Sequence, residues 1–195
     1  MKPPMHRYFA TLFICLLAAP VLADGEINTI LKPEDKARLE QFDTVRTEAI
    51  AAAKARGAAA DVAELDRILT GGALPFDETF DLAGNWRCRT IKLGGDPALT
   101  IYGWFKCRVS DDGSGWKLEK LSGSQRVTGR FYTESATRLT FVGAGHYADE
   151  TPRAYGSDPE RDEVAYAVRP GTDRVRLEFP LPRFESKFDI LELRK

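Results

Sequence analysis

Histidine is nearly missing from this chain, at 2 in 195 residues, and cysteine, methionine and tryptophan number only 3, 2 and 3. After His6 the sole histidine is His146, in Gly143-Ala144-Gly145-His146-Tyr147. One imidazole cannot build a His-based metal site without carboxylates from elsewhere. No Gly-x-Ser-x-Gly or comparable nucleophile setting accompanies it, so a locally hydrogen-bonded histidine is the simpler reading. No Cys-x-x-Cys is present, which argues against a redox pair. Asp111-Asp112-Gly113-Ser114-Gly115 lacks the further ligands of a calcium loop and reads as a hairpin turn. Gly143-Ala144-Gly145 is too short to cradle a phosphate and opens no helix. No acid, base and nucleophile can be assembled, so the expectation is a protein that is not an enzyme and needs no cofactor or metal. Charge of one sign is also missing, with 28 Lys+Arg against 29 Asp+Glu. That balance, without a basic tract, disfavours nucleic acid.

Long apolar runs are absent beyond the first twenty residues. At the start, a basic tip (Lys2, His6, Arg7) precedes an apolar stretch from Tyr8 to Ala19, then Val21 and Ala23 before Asp24-Gly25-Glu26. This is the pattern of a signal peptide over residues 1–23, cut near Ala23. The stretch is shorter than the ~20 residues of a bilayer span. The expectation is therefore a periplasmic or secreted product with no integral membrane segment after cleavage. Cys15 leaves with the leader, and an even pair, Cys88 and Cys107, remains in an oxidising compartment.

From Pro33 to about Arg56 the pattern is helical. Pro33, Glu34 and Asp35 suit a helix start, Lys54 and Arg56 its end, and Leu39, Phe42, Val45 and Ala49 form one apolar stripe. Gly57 is a natural stop. A second helix runs from about Asp61 to Gly71-Gly72 with Val62, Leu65, Ile68 and Leu69 inward. Together they read as a helical hairpin, which with its linker occupies residues 24–76.

Beyond Phe76 the period becomes alternating. About eight strand-like segments follow: Gly84–Leu93, Leu99–Val109, Trp116–Leu121, Gln125–Thr133, Arg138–Ala144, Glu163–Arg169, Arg174–Phe179 and Lys187–Leu193. Their short connections imply an antiparallel meander over residues 77–195. The fold class is thus α+β: an N-terminal helical hairpin packed on an up-and-down barrel, or on a strongly curved sheet. With Asp96-Pro97-Ala98-Leu99 as the first hairpin turn, Cys88 falls directly opposite Cys107, within reach of a disulfide. Tyr102 and Trp104 then share one face of the second strand and Phe105 the other.

Leu82-Ala83-Gly84-Asn85-Trp86-Arg87-Cys88 opens the first strand with Gly-x-Trp, which resembles the first-strand signature of lipocalins and the wider calycin barrels. The resemblance implies that Trp86 closes one barrel end under Arg194 of the last strand. A closer resemblance spans most of the chain. Trp86 to Gly94, Tyr102 to Cys107, Ser110 to Trp116, Gly123 to Arg126, Gly129 to Tyr132 and Glu185 to Glu192 are similar to an uncharacterised family of secreted alphaproteobacterial proteins, a domain of unknown function. It implies a location and a compact domain. A more distant similarity, through Ala83-Gly84-x-Trp86 and one disulfide, is to small periplasmic barrel inhibitors of metalloproteases.

The least regular stretch, Tyr147 to Glu163, is a long loop carrying Tyr147, Arg153 and Tyr155, and such loops are often functional. In the strand before, Arg126, Thr128, Arg130 and Tyr132 share one face and Val127, Gly129 and Phe131 the other. Inward, the polar set would line an anion-binding cavity; the bulk of Phe131 favours its facing outward or to the rim. The candidate ligand-binding residues are Arg126, Arg130, Tyr132, Tyr147, Arg153 and Tyr155. The expected function is non-enzymatic binding of a small ligand in or at the mouth of the barrel. The alternative is an envelope protein-binding module, such as a protease or hydrolase inhibitor.

Overall fold

A computed structural model describes residues 25–195; the expected leader and its cleavage site lie outside the described residues. Four helices come first: α1 (Gly25–Ile30), α2 (Pro33–Glu40), α3 (Phe42–Arg56) and α4 (Ala59–Leu69). Nine strands follow: β1 (Gly84–Leu93), β2 (Leu99–Ile101), β3 (Phe105–Asp111), β4 (Trp116–Lys120), β5 (Gln125–Ser135), β6 (Arg138–Tyr147), β7 (Asp162–Gly171), β8 (Arg174–Pro180) and β9 (Phe188–Arg194). The order is β2-β1-β3-β4-β5-β6-β7-β8-β9, and β9 pairs back onto β1. Eight antiparallel strands therefore close into a barrel, with β2 as an extra strand on β1. Closure removes exposed edges, as the alternating pattern requires. Among the described residues no helix is long and apolar enough to cross a membrane.

The expected long helix is two helices meeting at Gln41, whose backbone leaves the helical region. Arg38 anchors α2 to the β7 and β8 ends, donating to the carbonyls of Asp162 (3.0 Å) and Pro180 (3.3 Å). Beyond the bend α3 follows the curved wall instead. α3 and α4 form the expected hairpin around Gly57-Ala58. Val45, Ala49, Ala53, Leu65 and Ile68 pack on the outward side chains of Ile91, Leu93, Phe188 and Ile190. Small alanines let the helix lie close to the sheet.

The inward side chains form a second core. Trp86, Val109, Leu118, Phe141, Leu177 and Leu193 belong to it and are all buried. Gly129 and Gly143 face each other across β5 and β6 beneath the Phe141 ring. A Cβ on Gly129 would come within 2.5 Å of that ring, so the close approach requires glycine there.

The disulfide Cys88–Cys107 is present, with Cα atoms 5.8 Å apart. The register differs from the sequence expectation. Cys88 faces Phe105 and Trp86 faces Cys107, so the bridge runs diagonally between inward positions. Between β2 and β3, Tyr102-Gly103-Trp104 stands opposite only Arg89 and Thr90. This one-residue bulge splits the expected Leu99–Val109 strand and shifts its pairing. It also separates two aromatics expected on one face: Tyr102 turns to the barrel rim, and Trp104 lies outside against the guanidinium of Arg89, 4.5 Å away.

Arg194 does not cover Trp86. It lies on the outward face of β9, bonded to Glu192 (2.9 Å) and 5.9 Å from the Trp104 ring, whereas Trp86 points inward. The next residue, Lys195, takes the expected place, 4.8 Å from the Trp86 ring. Trp86 also donates from Nε1 to the Leu82 carbonyl (2.9 Å).

Candidate functional site

The two barrel ends are built differently. Around Trp86, Val109 and Leu193 the interior is solid with apolar side chains, and the disulfide lies next to the cavity floor, with Cys88 opposite Phe105 and Cys107 opposite Lys120. At the opposite end, where β1, β4, β6 and β8 finish and β3, β5, β7 and β9 begin, it opens into a cavity of about 230 Å³. Each barrel strand contributes to its wall, β1 through Lys92, β4 through Lys120, β7 through Glu163 and β9 through Asp189. Phe105, Phe179 and Leu191 supply apolar wall below them. The order follows from alternation: the last inward position of several strands carries a charge where the deeper ones carry apolar groups.

Gln125 joins the two lysines. Lys92 Nζ donates to Gln125 Oε1 (3.4 Å) and Lys120 Nζ to the Gln125 carbonyl (2.8 Å). Lys92 also pairs with Glu185 (2.6 Å). Burial pulls the Lys92 ammonium down, but the Glu185 hydrogen bond and the Asp189 and Glu185 charges outweigh it and the net direction is up. Lys120 Nζ sits 4.6 Å from the Phe105 ring. Burial, then the positive charges of Lys92 and Arg126, lowers it to about 8.

Both carboxylates are displaced upward. Burial pushes Asp189 up to about 7, against a hydrogen bond from Ser186 Oγ (2.5 Å) and the Lys92 charge. Burial also raises Glu163, although Arg38 donates to it (2.8 Å). At the rim, Arg161 lies 4.7 Å from the Tyr147 ring and 6.0 Å from that of Phe184, and both rings are exposed. The arrangement offers ammonium donors, two carboxyls whose burial raises them and an apolar floor: the mix of a small-molecule pocket.

Two of the six sequence candidates reach this cavity, Arg126 and Tyr147. Arg126 is also held by the Gly123 carbonyl (3.1 Å). Arg130 lies on the outer wall and pairs with Asp112. Tyr132 packs outside against the cluster of Ile27, Leu39 and Val142. Arg153 pairs with Asp158 inside its own loop (2.9 Å). Tyr155 donates to Asp35 (2.7 Å) and accepts from the Lys32 amide (3.1 Å), so it latches the loop to α2. Phe131 does turn inward, and that parity sends Arg130 and Tyr132 out. His146 is buried, its Nδ1 3.0 Å from the Tyr147 carbonyl, and it lines the cavity together with Glu163, whereas Asp149 is exposed and stands outside that lining. Lys92, Lys120, Glu163 and Asp189 were missed because each is a single charge in a different strand. The available signal was a charge at the terminal inward position.

Lys120 has a measurable consequence for stability. Its ordinary value is higher than its folded one, so the unfolded chain holds more protons between about pH 8 and the usual lysine range, and wild-type stability rises with pH there. Lys120→Met removes the buried ammonium and is expected to gain about 1–2 kcal/mol at pH 7. The gain shrinks as pH rises through that window, where Lys92, Arg126 and Asp189 remain the facing charges. Urea titrations at pH 7 and pH 10 check this; a pH-independent difference would contradict it.

A family model described as a domain of unknown function (DUF4893) matches residues 28–193. Neither a curated protein nor a solved structure matches the chain.

Proposed function

Starting from a chain that belongs to the DUF4893 family, we propose that it is a non-enzymatic binding protein that holds a small ligand at the open mouth of its barrel. The observation that carries this reading is the contrast between the ends: one solid, the other a cavity of about 230 Å³ ringed by polar and aromatic groups. Its charged groups are largely engaged in holding the wall together, Lys92 with Glu185 and Glu163 with Arg38, which favours binding over chemistry. The leader pattern and the Cys88–Cys107 bridge support action in the periplasm or outside the cell.

A second reading is a protein-binding module of the cell envelope, such as an inhibitor of a protease or hydrolase. The bulge favours it, because Trp104 is exposed beside the guanidinium groups of Arg87 and Arg89. Aromatic and arginine groups together are the usual composition of a binding hot spot. An amide-shift NMR screen with small aromatic and aliphatic fragments separates the two. Shifts gathered at Gln125, Gly145 and Asp189 support the mouth as the site. Fragments that bind only around Trp104, Arg87 and Arg89, or nowhere, sink the small-ligand reading.

A further inference from the structure

Every buried cation among the described residues except one has a carboxylate within ion-pair distance. Arg38 meets Asp35, Arg89 meets Glu192, Lys92 meets Glu185 and Arg176 meets Glu178. Lys120 is the exception, although it is only 8% exposed. An ammonium has three protons to donate. Lys120 spends one on the Gln125 carbonyl, and its other close neighbour is the face of Phe105. The charges that act on it are two of its own sign, Lys92 and Arg126, and the carboxyl of Asp189, which stands beyond ion-pair distance. The nearby carboxylate of Glu185 sits 2.6 Å from the Lys92 ammonium and forms no ion pair with Lys120.

A desolvated charge without a partner is costly, and folded proteins usually pair it or neutralise it. Here the unpaired charge borders the cavity, beside Phe105 and above Phe179 and Leu191. A surface lysine would gain little from an anion, since water competes for it. A buried one next to an empty volume gains both the hydrogen bonds and the charge. The size of the cavity limits the guest to a small molecule.

We infer that the guest is a small amphipathic anion, with its carboxylate or phosphate on Lys120 Nζ and its apolar body against Phe105, Phe179 and Leu191. This rests on the mouth-binding reading above and adds the chemical class of the ligand. Lys120 is then a specificity-determining residue, and the Gln125 carbonyl fixes where its ammonium points. Arg126, on the same rim, adds positive potential without sharing its guanidinium with a carboxylate among the described residues.

Calorimetric titration of the purified protein with benzoate, phenyl phosphate, benzamide and benzylamine tests it. These probes share a ring and differ in charge, and the tighter of the first two identifies the headgroup. The expected result is that one anion binds at least ~10-fold tighter than benzamide, and that Lys120→Met removes this advantage while leaving benzamide within ~2-fold. Lys120→Gln provides a second, polar replacement should the methionine variant aggregate. Benzamide or benzylamine binding as tightly as either anion overturns the inference and leaves the mouth-binding reading standing. So does an anion that binds the Lys120 variants as it binds wild type. Failure of all four to bind overturns both.

Discussion

Arg38→Met is expected to cost the fold about 3–5 kcal/mol, the usual loss when one partner of a buried ion cluster is removed. Arg38 is 6% exposed and reaches Asp35 (3.0 Å), Glu163 (2.8 Å) and the carbonyls of Asp162 and Pro180. Its methionine replacement keeps the apolar stem and deletes every one of those donors. Asp35 would retain Tyr155 (2.7 Å) and Arg183 (3.4 Å), so the heavier loss falls on Glu163. Burial already raises that carboxyl above the usual range, and without Arg38 it must protonate or remain charged and unpaired. A group with a raised folded value is stabilising while protonated and loses that contribution as pH rises through it. The variant's deficit is therefore largest at neutral pH and smaller near pH 4–5. Glu163→Gln in the Arg38→Met background should restore at least ~1 kcal/mol at pH 7. Urea denaturation of the two single variants and the double variant reads all of this. A single-variant cost below ~1 kcal/mol would show that the cluster is dispensable.

Removal of the disulfide is expected to cost roughly 3 kcal/mol, the value for closing a loop of this length in the unfolded chain. The separation is 19 residues and both cysteines are buried, at 0% and 1% exposure. Alanine at both positions is the appropriate replacement, because serine would add two hydroxyls to an apolar interior. The bridge lies among Trp86, Val109 and Leu193, next to the cavity floor. Its loss should lower the urea midpoint. Reduction of the wild type by dithiothreitol should move the midpoint in the same direction. An unchanged midpoint in the alanine double variant would contradict this expectation.

The barrel was legible because one face of each strand is buried. Alternation in Trp86-x-Cys88, Val175-x-Leu177-x-Phe179 and Leu191-x-Leu193 leaves little choice of inward face. Turn chemistry between the runs then dictates neighbours. The bulge was not legible, since no local signal in Tyr102-Gly103-Trp104 announces three residues opposite two. Its effect spread to the cysteine register and to the faces of Tyr102 and Trp104. The bend at Gln41 escaped for a similar reason: its cause is Arg38 reaching β7 and the end of β8, a contact more than a hundred residues distant. The site was legible only at its rim. Arg126 and Tyr147 drew notice as large polar residues in or beside irregular chain. Lys92, Lys120 and Asp189 read as ordinary surface charges until closure of the barrel turned them toward one another.

Gly145 tests whether the mouth cavity is the binding site. It lies on the cavity wall, and a Cβ added there meets nothing nearer than 3.8 Å. Gly145→Leu should therefore fill the volume without disturbing β6 and leave thermal stability close to wild type. The measurement is native mass spectrometry of wild type and Gly145→Leu, each purified gently from the same host and compared with its denatured spectrum. A reproducible small-molecule adduct is expected on the wild type and not on the variant. A wild type that carries no adduct, or an identical adduct on both proteins, would contradict this expectation.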